Sequence, residues 1–124
     1  MTAAAKRRKA WRLGWSAETI CVIWLQFQGY RIIARRQRTP VGEIDVVARR
    51  GRVLAIVEVK VRADRTKALE SVSRRQRKRL ERAAQWLLAG RTDLAHLNIR
   101  FDVMAIAPWR MPTYISDAWR TDDI

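Results

Sequence analysis

The chain has 124 residues, 48% of them apolar, which is enough for one domain with a modest core. Its 26 Lys and Arg against 12 Asp and Glu leave a formal charge of +14, so an anionic partner is expected. One cysteine and one histidine exclude an internal disulfide and a Cys/His zinc centre.

Residues 1–15 carry Lys6, Arg7, Arg8, Lys9 and Arg12 with little to bury and read as a flexible basic arm, followed by a single domain over 16–124. The start has no apolar run for a signal peptide, no later segment is long enough to span a bilayer, and no lipid anchor is visible. A cytoplasmic protein without membrane association is therefore expected, with nucleic acid as the leading partner. Ser16 is a good N-cap and Glu18 falls in the first turn. Ala17, Ile20, Cys21, Trp24, Leu25 and Gln28 keep helical spacing as far as Gly29, which predicts a helix over 17–28. Cys21 reads as a small buried residue within it.

From Tyr30 the period changes to two, predicting a strand that Thr39-Pro40 and Gly42 interrupt. Glu43 to Arg49 and Arg52 to Val61 are rich in β-branched residues and read as a hairpin about an Arg50-Gly51 turn. After a polar stretch, Ala63 to Leu69, an amphipathic helix is predicted from about Ser71 to Ala89, with Val72, Leu80, Ala83, Ala84, Leu87 and Leu88 inward. His96, in the turn-like stretch before the next strand, reads as a surface residue. Asn98 to Ala107 predicts that strand, and the tail from Trp109 onward gives no clear assignment beyond a short strand or turn. Trp24 and Trp86 fall on helices where packing is the default, whereas Trp11 and Trp15 either stack on unpaired bases or staple the arm to the domain. The order helix, three strands, helix, strand implies an α/β sandwich around a mixed sheet.

The hairpin is where chemistry concentrates. Leu54, Ile56, Glu58 and Lys60 share one face of its second strand, so two charges arrive at the end of an otherwise apolar strand, where desolvation is costly. With Arg49 opposite Arg52, Glu43 falls opposite Glu58 and Asp45 opposite Ile56, which groups Glu43, Asp45, Glu58 and Lys60 on one face. Hard carboxylate oxygens so placed suit Mg2+ or Mn2+. The other reading is a structural ion-pair network in which Lys60 and nearby arginines neutralise the acids. Gln76 places an amide on the inward face of the long helix, either as a satisfied core group or pointing at the site. Arg74, Arg75, Arg77, Lys78, Arg79 and Arg82 form a basic wall suited to phosphate contacts. Asp102 is read as an arginine partner rather than a metal ligand.

Gly42-Glu43-Ile44-Asp45, the short hairpin and Val57-Glu58-Val59-Lys60-Val61-Arg62 resemble the YraN-type family of small bacterial proteins, within the PD-(D/E)XK nuclease-like superfamily. The likeness extends from Ala17-Glu18 through Gly29-Tyr30, the Gln76 helix and Arg100-Phe101-Asp102-Val103 to Ile115-Ser116-Asp117-Ala118-Trp119. It implies a restriction-endonuclease-like α/β fold, with a mixed central sheet flanked by helices. By position it makes Asp45 the motif aspartate, Glu58 and Lys60 the ExK pair, and Glu18 the acid of the first helix. Glu18 is equally well explained as a partner of the helix dipole. Two departures stand out: this chain has Arg36 or Gln37 where the family pattern carries asparagine before the hairpin, and Arg75 where it carries lysine.

The resemblance implies a divalent-metal-dependent endonuclease. Asp45, Glu58, Glu43 and Glu18 are the candidate metal ligands, Mg2+ or Mn2+ the cofactor, and Asp45, Glu58, Lys60 and Gln76 the catalytic set. DNA is favoured over RNA, in structured or branched form, with repair or recombination as the setting. A homodimer is compatible with these features, though no residue pattern specifies one. The competing reading is a nuclease-fold adaptor that binds DNA or RNA with little or no catalysis.

Overall fold

In the computed structural model, which describes Thr2, Ala5 and residues 15–121, the chain builds a five-stranded mixed sheet with helices on both faces. The basic arm expected over 1–15 lies almost wholly outside the described residues, as do residues 122–124. Helix α1, Ala17–Phe27, starts where expected: the Ser16 hydroxyl accepts the Thr19 amide at 3.1 Å. Gln28 closes it, and Gly29 follows at φ 87, the left-handed turn that frees the chain to enter a strand.

Strands β1 (Arg31–Thr39), β2 (Gly42–Arg50) and β3 (Val53–Val61) form an antiparallel meander. The β2–β3 turn is one residue later than the sequence suggests. Arg50 pairs with Val53, so Gly51-Arg52 is the loop, with Gly51 at φ 61 in the first turn position, where glycine carries no Cβ penalty. This corrects the register by two. Because two is the pleat period, the paired residues keep their faces but change their partners. Before Val46 the alternation breaks, and Ile44 packs in the layer of Val47 while Val46 packs with the residues of α1.

A short helix, α2 (Arg65–Glu70), occupies what reads as a polar connection, capped by Asp64 and held inward by Ala68. The long helix α3 then spans Arg74–Gly90 rather than starting at Ser71, because Ser73 takes the N-cap and accepts the Gln76 amide at 3.1 Å. Val72 is buried just ahead of it, as expected of an inward residue. Together α2 and α3 are the crossover that parallel pairing requires, returning the chain to lay β4 (Asn98–Ile106) along all nine residues of β3. The tail resolves as an edge strand, β5 (Thr113–Trp119), antiparallel to β4.

The pleat sorts the core into two layers. Leu54 and Ile56 face α3 and meet Leu80, Ala83, Ala84 and Leu87. Ala55 and Val57 face α1 and meet Cys21, Val22 and Leu25. Cys21 is fully buried and His96 exposed, as read from sequence. Trp86 departs from its expected packing role: it is 48% exposed, because it sits one residue before Leu87 on the outer side of α3. The architecture is the α/β arrangement of a restriction-endonuclease-like core, extended by α2 and β5. Among the described residues, no helix is long and apolar enough to cross a membrane.

Candidate active site

Val46 and Val57 are the last residues that β2 and β3 pair, and beyond them the strands part. Asp45 is the next residue of β2 and Glu58 the next of β3, which makes these two acids neighbours. The expected partners, Glu43 with Glu58 and Asp45 with Ile56, follow from the misplaced turn and do not occur: Ile56 pairs with Val47. In place of a ladder bond, Asp45 Oδ2 accepts the Val59 amide at 2.8 Å. A side chain thus does backbone work where the sheet opens, and the opening is what gives two carboxylates room to converge.

Glu58 is 6% exposed and held from α3. Gln76 Nε2 donates to its Oε1 at 2.8 Å, Lys60 Nζ stands 3.4 Å from the same oxygen, and Lys60 also donates to Gln76 Oε1 at 3.4 Å. Gln76 therefore points at the site and ties Glu58 to Lys60. Burial, reinforced by the charge of Asp45, pushes Glu58 up to about 7, with Lys60 and Arg79 opposing. Burial likewise raises Asp45, helped by Glu18 and Glu43, against the Val59 bond and Lys60. The two acids repel in a partly desolvated place.

The other predicted acids stand apart. Glu43 is exposed and pairs across the strands with Arg38. Glu18 accepts Arg35 Nε at 2.9 Å and Arg36 Nε at 2.7 Å; burial works to raise its pKa, but these two guanidinium bonds hold it below the ordinary value. Among the described residues, no three His, Cys, Asp or Glu side chains gather as a metal cage. Asp45 and Glu58 are the two acids here that could hold a metal, and two carboxylate oxygen donors would suit a hard cation that keeps several waters, as Mg2+ does.

The basic residues of α3 divide between two sides. Arg75 and Arg79 join Ser73 and Gln76 around a hollow of about 300 Å³ on the carboxylate side. Arg79 lies against Gly42, where a Cβ would come within 3.1 Å of its Nη1, so glycine at that point lets the guanidinium approach. Arg74, Arg77 and Lys78 line a different hollow with Trp119. Arg77 donates to the Val72 carbonyl at 3.2 Å and Lys78 to the Thr121 carbonyl at 3.1 Å. Arg82 is exposed. A larger hollow of about 800 Å³, bounded by Val53, Asn98 and Trp119, lies at the opposite end of β3 and β4 from Glu58.

Asp102 is a structural acid. Fully buried, it takes Arg100 Nη2 at 2.7 Å, the Asp117 amide at 2.9 Å and the Tyr114 hydroxyl, locking β5 to β4. Two residues near the site escape sequence reasoning. Arg35 and Arg36 fall in the predicted first strand, but both clamp Glu18, and Arg36 sits at φ 49. Arg36 thus holds Glu18 from a left-handed position, which asparagine adopts more readily than arginine.

Residues 17–106 match the model of the uncharacterised protein family UPF0102. A UPF0102 protein of Parvibaculum lavamentivorans is 53% identical over 111 residues, covering 90% of this chain and 84% of its own length. Another, from Paramagnetospirillum magneticum, is 47% identical over 117 residues, covering 91% of both chains. A third, from Caulobacter vibrioides, is 49% identical over 108 residues, covering 87% of this chain and 86% of its own. The chain belongs to the uncharacterised protein family UPF0102, the family to which its YraN-type motifs point.

Proposed function

We propose that this protein is a divalent-metal-dependent endonuclease that hydrolyses phosphodiester bonds in structured or branched DNA, in the setting of repair or recombination. The observation that carries this reading is the convergence of Asp45, Glu58 and Lys60 where β2 and β3 part, with Gln76 bracing the last two. Phosphodiester hydrolysis needs charge neutralisation, an activated water and a fixed line of attack. Asp45 and Glu58 are the residues that would hold Mg2+ or Mn2+. The chemistry supplied by such a cation is neutralisation of charge on the phosphate and acidification of water.

Lys60 is the ammonium beside this acid pair, and its tether to Gln76 aims it across Glu58 rather than into solvent. There it orients the attacking water and offsets negative charge at phosphorus. Arg75 and Arg79, on the same side as Gln76, contact the backbone, giving affinity that falls with salt and reads no bases. A second reading, a nuclease-fold adaptor of low activity, is favoured by one observation: only two carboxylates converge among the described residues.

The test is cleavage of duplex, single-stranded, flapped and four-way-junction DNA with Mg2+ or Mn2+. Asp45→Ala and Lys60→Ala are expected to abolish cleavage while DNA binding persists. Cleavage unchanged in both variants would sink the proposed site, and binding without cleavage under every condition would favour the adaptor.

A further inference from the structure

Seven large apolar side chains are exposed among the described residues, and five of them collect at one end of the sheet. That end is marked by the β1–β2 turn, the last residues of β3 and β4, and the first of β5. Val41 occupies the turn and Val61 ends β3, opposite Ile106. Trp109 and Met111, 52% and 54% exposed, sit on the β4–β5 connection. Trp15 precedes the N-cap of α1, whose first turn is bonded to the second half of β1. This is also the end where Glu58, Lys60 and Gln76 meet.

The rim is built rather than loose. Trp109 is in left-handed backbone, φ 63, directly after Pro108, and the next residue, Arg110, donates to the Ala63 carbonyl at 3.3 Å. The connection is thereby pinned to the segment that follows β3. Lys60 pairs with Ala105, so Trp109 lies no more than about 13 Å further along at strand spacing. Arginines punctuate the apolar positions: Arg36, Arg62, Arg75, Arg79 and Arg110; the acids at this end are Glu18, which Arg36 engages, the site pair Asp45 and Glu58, the exposed Glu43 and the capping Asp64. Flat apolar surface alternating with guanidinium is what a strand with exposed bases requires, since bases stack and phosphates pair. A paired duplex end offers its phosphates to the arginines but hides all but its terminal base faces. A partner without negative charge would leave Arg62, Arg75, Arg79 and Arg110 unmatched, since among the described residues none of these four is ion-paired with a carboxylate, whereas Arg36 already holds Glu18.

We propose that Trp109, with Met111 beside it, is a stacking platform for an unpaired base, which directs the carboxylate site to DNA at a boundary between duplex and single strand. This rests on the nuclease reading above and names its substrate class. The experiment is anisotropy of labelled oligonucleotides in chelator, where no cleavage occurs, comparing a blunt duplex, the same duplex with a single-stranded flap, and the single strand. Wild type is expected to prefer the flapped and single-stranded DNA. Trp109→Ala should weaken both by about 5-fold or more, leave the blunt duplex within twofold, and regain most of the loss as Trp109→Phe.

Equal loss on all three DNAs, or no loss on any, would overturn the platform while leaving the nuclease reading intact. No binding of any DNA by wild type would overturn both. A concentration-dependent dimer of the free protein that Trp109→Ala dissolves would overturn it in favour of a second copy of the chain.

Discussion

The Gln76 side chain bonds Glu58 through its amide nitrogen, at 2.8 Å, and Lys60 through its oxygen, at 3.4 Å, so one neutral residue on α3 sets the geometry of two charged residues on β3. Removing it leaves Glu58 without its closest donor and Lys60 with only its 3.4 Å contact to Glu58. Groups that brace a metal-binding residue in this way typically contribute 10–100-fold. Gln76→Ala is expected to lower cleavage, or affinity for Mn2+, by about that range, with DNA affinity within twofold. A variant with wild-type cleavage and Mn2+ affinity would reduce Gln76 to packing.

In the metal-free protein, Glu58 is raised to about 7 from an ordinary 4.5, first by burial and then by Asp45, with which it titrates as a pair. Between those values the folded protein retains a proton that the unfolded chain has released. Stability is therefore fully present below about 4.5 and is lost as pH rises through 7. Glu58→Gln removes the charge, so in chelator at about pH 8 it should be more stable than wild type, by about 1–3 kcal/mol. Urea denaturation across the pH range measures this, and a variant weaker than wild type at that pH would contradict it. Stability given up at a site is an ordinary cost of function.

Asp102 should behave in the opposite way. It is fully buried and its partners include the Arg100 guanidinium, so Asp102→Ala strands a cation and frees β5. A loss of about 3–5 kcal/mol is expected in denaturant unfolding. A loss below about 1 kcal/mol would mean that the network adds little.

Arg36 carries its Glu18 bond at φ 49, and the left-handed region costs an L-residue about 1–2 kcal/mol. Arg36→Ala keeps the backbone cost and loses the bond. Arg36→Asn loses the same bond but accepts the conformation. The comparison between these two variants therefore isolates the backbone: Arg36→Asn should melt above Arg36→Ala by the equivalent of about 1 kcal/mol. Equal melting temperatures would show that the backbone there is not strained.

Much of the fold is legible because it is written in local rules. Ser16 and Gly29 bound α1, the period of two marks β1 to β4, and Leu80, Ala83, Ala84 and Leu87 mark the buried stripe of α3. Asp45, Glu58 and Lys60 on the hairpin and Gln76 on the inward side of α3 are legible for the same reason, whereas Glu43, expected with them, lies beyond the break in alternation at Ile44 and stays exposed. The exact start of α3, the short α2 and β5 are not, because Ser71 and Ser73 are both acceptable caps and β5 draws its stability from β4. The turn is displaced by one residue because Arg50-Gly51 and Gly51-Arg52 both supply a glycine, and only the pairing of Arg50 with Val53 selects between them.

Within each regular run the sequence by itself determined which side chains share a face, because pleat and helical pitch are properties of the backbone; it did not show the breaks that send Ile32 and Ala34, and Val46 and Ile44, to opposite layers. Only the tertiary structure decided which of them meet: that Asp45 leaves the ladder to take the Val59 amide, that Glu18 goes to Arg35 and Arg36 and not to the carboxylate pair, and that Arg79 folds over Gly42 while Arg77 turns to Trp119. Those outcomes depend on register, twist and the competition among many arginines for few acids, none of which a periodicity contains.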